Sequence, residues 1–165
     1  MILRAAKVLL VAAIALFYTL VVFNNTTDYD SNYEFVHHVL LMDSTFPGNH
    51  GLWRAIHPVL AHKLFYDGVI AWETLTMILC WVGCVQLLRT LQRPPEDFER
   101  AKRVAVSALT LSLLMWLIAF LTVGAEWFLM WQSHSWNGQE AAFRMFVVVG
   151  IVLLITLQAD TEEQV

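Results

Sequence analysis

Polar and apolar positions fall in long blocks along this chain. Residues 8–27, 104–125 and 145–159 contain no Asp, Glu, Lys or Arg, and 68–88 contains only Glu73. A bilayer core of about 30 Å needs roughly 20 mainly apolar residues at ~1.5 Å each, so each block predicts a transmembrane helix. The last block is short, but residues 141–144 extend it if Arg144 snorkels outward. The predicted fold is an all-α membrane protein, one membrane domain over 1–165. It is a four-transmembrane-helix bundle with spans near 5–25, 64–91, 102–126 and 140–159.

Between the spans, residues 26–63 form an extracytoplasmic cap, 92–101 a cytoplasmic loop and 127–139 an outer loop. The cap is too long for a turn. Ser31 and Glu34 stand three apart as in a capping box, predicting a short helix that ends near Asp43. Pro47-Gly48 marks a turn, and Pro58 suits the first position of the extended second helix. Asn137 and Glu140 read as the cap of the fourth span.

Helical spacing selects an inward face on three spans: Ala5, Ala12, Ala15 and Thr19; then Glu73, Thr76, Met77, Cys80 and Cys84; then Ala105, Ala108, Ser112, Met115, Ala119, Thr122 and Glu126. Lipid gives helices no hydrophobic reason to associate, so small residues and interhelical hydrogen bonds must hold them. Gly83 and Gly150 offer weak sites for contact between subunits.

Composition agrees: 58% hydrophobic residues and a mean hydropathy of +0.59 exceed what a soluble domain carries. Charge then sets orientation. Arg4, Lys7, Arg89, Arg93, Arg100, Lys102 and Arg103 fall on one side, and only Arg54, Lys63 and Arg144 on the other. The bias predicts that both termini are cytoplasmic. Asp160, Glu162 and Glu163 make a short acidic tail there. No basic run suggests nucleic acid. Arg4 and Lys7 before an apolar run imitate a signal peptide, but no small-x-small site follows, so this span reads as an anchor. Cys80 and Cys84 sit one turn apart within the second span, where they read as soft packing residues rather than a redox pair.

Candidate chemistry lies toward the outer side. Intramembrane carboxylates are costly and face protein, water or a partner, which singles out Glu73. Glu126, Arg54 and Arg144 reach the same layer. Two carboxylates there should not both ionise without positive partners, so an arginine is expected to contact at least one. Asp43 and Gln132 extend the polar set; Trp72, Trp127 and Trp131 are expected to wall it, although an interfacial belt also accounts for tryptophans at this level. His37, His38, His57 and His134 are weak metal candidates, because no pair has helical-face spacing. No span has a deep histidine for haem, whereas a quinone headgroup would need only one histidine, one carboxylate and aromatic walls. Nucleophile arrangements and glycine-rich phosphate loops are absent, so the chain reads as non-enzymatic.

The run from His38 to Asn49 with Trp53-Arg54-Ala55-Ile56 resembles a bacterial family of predicted small integral membrane proteins of unknown function. So do Ile70-Ala71-Trp72-Glu73, the run from Gly124 to Ser133, and Trp136-Asn137-Gly138-Gln139-Glu140. Gly124-Ala125 departs mildly from the two glycines that often precede the Glu-Trp pair. The resemblance implies four spans in a bacterial inner membrane and carries no activity. Two readings follow. The first is a protein whose outer cavity binds a small ligand, without a resident cofactor, or docks a partner membrane protein or a second copy. The alternative is a small redox or metal-binding subunit using a quinone, copper or zinc. Proton-coupled transport is disfavoured because ionisable residues stop in the outer half.

Overall fold

A computed structural model of the protein describes residues 1–160; Glu162 and Glu163 of the expected acidic tail lie outside the described residues. Five helices run in chain order: α1 (Ile2–Thr27), α2 (Tyr29–Leu41), α3 (Val59–Arg89), α4 (Pro95–Leu114) and α5 (Gln139–Leu157). The chain of α4 continues without a break as a π-helix, Met115–Trp127, and single 3-10 turns occupy Leu52–Arg54 and Met130–Gln132. No strand occurs among the described residues.

α1, α3, α4 with its π continuation, and α5 are each long and apolar enough to cross a bilayer. At most 33% of the apolar window of any of them is buried, so most of each faces outward. That is the pattern of helices solvated by lipid. Arg4 donates to the Arg93 carbonyl at 2.8 Å, and Lys7 to the Gln158 carbonyl at 2.5 Å. The start of α1, the segment just after α5 and the α3–α4 connection therefore share one end of the bundle, the terminal end. α2 and residues 42–58 and 128–138 occupy the other, the cap end.

Close approach rather than bulk holds the spans. A Cβ at Gly83 would lie 2.7 Å from the Cα and N of Ala105, so α3 meets α4 backbone to backbone only because that position is glycine. Gly83 is thus spent inside the chain, not between subunits. Tyr18 Oη lies 2.6 Å from Ser112 Oγ and accepts from Trp116 Nε1 at 3.1 Å. Trp72 Nε1 donates to the Leu111 carbonyl at 3.1 Å, crossing from α3 to α4. Each bond replaces a polar group that hydrocarbon could not satisfy.

Several local expectations shift. α2 starts at Tyr29, with a single residue, Asp28, separating it from α1. Ser31 Oγ donates to Asp28 Oδ2 at 2.7 Å, so Ser31 lies inside the helix and is not its cap. Pro58 stands one residue before α3, and Gly138 is the N-cap of α5, with Asn137 Oδ1 accepting from Gln139 N at 3.0 Å. The inward stripe of α1 is Val8, Val11, Ile14, Ala15, Tyr18 and Asn25, rotated from the alanine face. In the third span the expected stripe holds through Met115. The wider π turn then re-aims it: Gly124 and Ala125 become buried, while Thr122 and Glu126 are exposed.

Candidate functional site: a polar cavity beneath the cap

α2 lies across the cap end and partly covers an open cavity of about 350 Å³ between α1, α3, the π-helix and the start of α5. Glu73 is its deepest charge-bearing group, only 4% exposed. Asn25 from the last turns of α1 donates Nδ2 to Glu73 Oε2 at 2.7 Å, and its own Oδ1 accepts from Asn32 Nδ2 of α2, also at 2.7 Å. Two amides thus lead from the exposed Asn32 to the buried carboxylate. Tyr66, about two turns above Glu73 on the same face of α3, puts a buried hydroxyl with no hydrogen-bond partner into the same cavity. Phe35, Val36, Val69, Trp116 and Phe120 supply the apolar walls.

Tyr66 belongs to an aromatic ladder that fixes α2 on α3. Tyr29 and Tyr33 stack at 5.8 Å, Tyr33 stacks on His37 at 5.8 Å, and Tyr29 meets Tyr66 edge-on at 4.7 Å. Tyr29 Oη donates to Asp67 at 2.9 Å; burial first, then this carboxylate, push the phenol up to about 12. His62 Nε2 lies 2.7 Å from the Ile56 carbonyl, which only accepts, so that nitrogen carries the proton. In neutral His62, Nδ1 then accepts from His37 Nδ1 at 2.8 Å.

A family model described as "Predicted small integral membrane protein (DUF2165)" matches residues 3–159. The chain belongs to this family. The match takes in all four spans and the cap, in agreement with the resemblance carried by the outer motifs. No curated protein and no solved structure matches the chain.

In this DUF2165 member the expected polar layer does not form one cluster. Glu73 alone of that set lines the cavity. Neither arginine reaches its carboxylate. Arg54 donates to the Trp127 carbonyl at 2.9 Å and the Glu126 carbonyl at 3.5 Å, where the π-helix ends and its last carbonyls lack partners. Its guanidinium also lies 5.5 Å from the Trp127 ring and 5.8 Å from Trp53. Arg144 points outward, 3.7 Å from Glu140, and both are largely exposed. The Glu126 side chain is exposed too. Asp43 takes His38 at 2.7 Å, and Gln132 Oε1 accepts from Phe46 N at 3.1 Å and Asn49 at 3.3 Å, which pins the loop after α2. Trp72 turns into the bundle, and Trp127 and Trp131 stand half-exposed at the rim. His38 stacks on Trp136 at 4.5 Å; His57 and His134 are exposed. Among the described residues no three His, Cys, Asp or Glu side chains gather as a metal site.

Asn25, Asn32, Tyr66, Trp116 and Phe120 were not singled out from sequence. Asn25 had a usable signal: Val11, Tyr18 and Asn25 recur every seven residues along one face, and all three are buried.

A second polar centre lies at the terminal end. Lys7, Lys102 and Asp160 are all under 9% exposed. Asp160 Oδ2 accepts from Lys7 Nζ at 2.8 Å and from Lys102 Nζ at 2.5 Å, while Arg4 Nε stands 3.8 Å from Oδ1. Both ammonium groups also donate to the Gln158 carbonyl. Glu99 accepts from Lys102 at 2.7 Å and from the Asp160 amide at 2.8 Å. Burial pushes the Asp160 carboxyl up, but the hydrogen bonds and charges of Lys102 and Lys7 outweigh it and hold it below its ordinary value. These bonds clasp the chain after α5 to α1 and α4.

Proposed function

We propose that this is a bacterial inner-membrane protein, non-enzymatic, with cytoplasmic termini, whose cap-end cavity binds a small amphipathic ligand from the outer leaflet. Glu73 is the polar anchor, Asn25 orients it, and Phe35, Trp116 and Phe120 hold the apolar part. The observation that carries this reading is the cavity itself. Its volume of about 350 Å³ falls in the lower range of small-molecule sites, about 300–1,000 Å³, and it joins apolar walls to a few convergent polar groups. The seven-to-three bias of basic residues supports the orientation, because the clasp end carries the excess. Arg54, Trp53 and Trp127 then form a rim at the depth where amphipathic rings favour the headgroup layer.

A redox or metal-binding role has weaker support, since His37 pairs with His62, His38 pairs with Asp43, and the remaining candidates stand apart. Native mass spectrometry of protein released gently from membranes tests the ligand reading. The wild type should retain a small-molecule adduct, and Val69→Trp, which fills the cavity, should lose it while the thermal transition persists. A solitary, empty wild-type monomer would overturn the reading.

A further inference from the structure

The hydrogen-bonding groups of the cavity are unevenly used, and the imbalance selects a class of headgroup. Glu73 Oε2 is taken by Asn25, whereas no described residue donates to Oε1. Among the described residues no Lys, Arg or His forms an ion pair with this carboxylate, although it is 4% exposed. Tyr66 presents the opposite deficit: a buried O–H with no acceptor. The site therefore lacks a cationic donor at Glu73 and an oxygen acceptor at Tyr66. Beyond these groups, Phe35, Val36, Val69 and Phe120 wall both this cavity and an adjoining apolar hollow of about 50 Å³. The polar end thus lies beside a second, apolar hollow with which it shares these walls.

We propose that the cavity takes an amine-headed amphiphile. The protonated amine donates to Glu73 Oε1, an oxygen of the same headgroup accepts from the Tyr66 hydroxyl, and a hydrocarbon chain lies against Phe35, Val36, Val69 and Phe120. The assignment rests on the reading of this cavity as a ligand site. Its physical basis is charge: an acid side chain removed from water ionises readily only beside a positive partner, and among the described residues the protein provides only an amide. An ammonium supplies both the charge and the donor. An anionic headgroup would oppose ionisation of Glu73, and a neutral one would give the ionised form no compensation.

Amines of this kind come either as zwitterionic membrane lipids or as free single-chain amphiphiles, and two arms separate them. In the first, the full chain in nanodiscs of equal phosphatidylethanolamine and phosphatidylglycerol is released and weighed by native mass spectrometry. In the second, detergent-solubilised protein is heated with 2-aminododecan-1-ol, dodecane-1,2-diol or dodecanoate. Expected are at least tenfold preferential retention of phosphatidylethanolamine, a rise in Tm with the amino alcohol alone, or both; success in one arm only supports the proposal and names the source. Glu73→Gln should abolish the amine preference while still retaining amphiphile, and the wild-type comparison decides the matter if that variant fails to fold. Equal retention and equal stabilisation across headgroups would overturn the amine assignment and leave the cavity reading standing. No retention of any amphiphile would overturn both.

Discussion

At the terminal end Asp160 is surrounded by Lys7, Lys102 and Arg4, whereas at the cap end Glu73 receives one amide bond. Both carboxylates are buried to a similar degree, 8% and 4% exposed. The first is compensated by its own chain several times over, and its partners come from α1 and α4. The second faces open volume. Burying charge inside a closed network serves to fasten elements, while burying it beside a cavity without a counter-charge costs free energy that the fold does not recover. Such uncompensated groups concentrate where a protein binds something.

Breaking the clasp should produce the largest effect. Asp160→Ala leaves two buried ammonium groups facing each other and should cost about 3–5 kcal/mol, as for other broken buried pairs. Thermal unfolding in nanodiscs would measure it, and a loss below about 1 kcal/mol would mean that the clasp is solvated and weak. Acid gives an independent check. The folded carboxyl lies below the ordinary value of 3.8, so its contribution is fully present above that value and is lost as pH falls through the folded one. Asp160→Asn should remove this acid-dependent part of the unfolding curve.

At the cap end the effects should be smaller. Asn25→Leu deprives Glu73 of its donor and should weaken ligand retention by about 1–3 kcal/mol. Placing that loss in unfolding rather than in ligand retention would recast Glu73 as a structural residue and erase the contrast. Tyr66→Phe removes a hydroxyl that has no partner in the empty protein, so its stability should change by less than about 1 kcal/mol. Ligand retention should fall nonetheless. A large stability loss would show that Tyr66 is satisfied within the fold.

The four spans were legible because a charge-free run needs no knowledge of packing, and Glu73 was legible because any carboxylate in such a run is conspicuous. The surroundings of Glu73 were not. Reading α1 by its alanines rotated the inward face away from its true centre and hid Asn25, which sits on the stripe marked by Val11 and Tyr18. In the third span a constant α-helical period carried Thr122 and Glu126 inward, and only the π geometry after Met115 shows why they lie outside. The clasp was illegible for a different reason: positive-inside counting treats Lys7 and Lys102 as solvated markers of orientation and carries no information on what buries them.

α1 has a further consequence as a ruler. Lys7 and Asn25, both buried in polar contacts, are 18 positions apart on one unbroken helix. At ~1.5 Å per residue that is about 27 Å, close to the thickness of a hydrocarbon core. Clasp and cavity therefore bracket the apolar slab, one near each face. A markedly thicker bilayer would draw one polar centre into hydrocarbon unless the lipid thins around it, and tilting the helix would only shorten its span. Membrane thickness thus becomes a variable to which both polar centres answer.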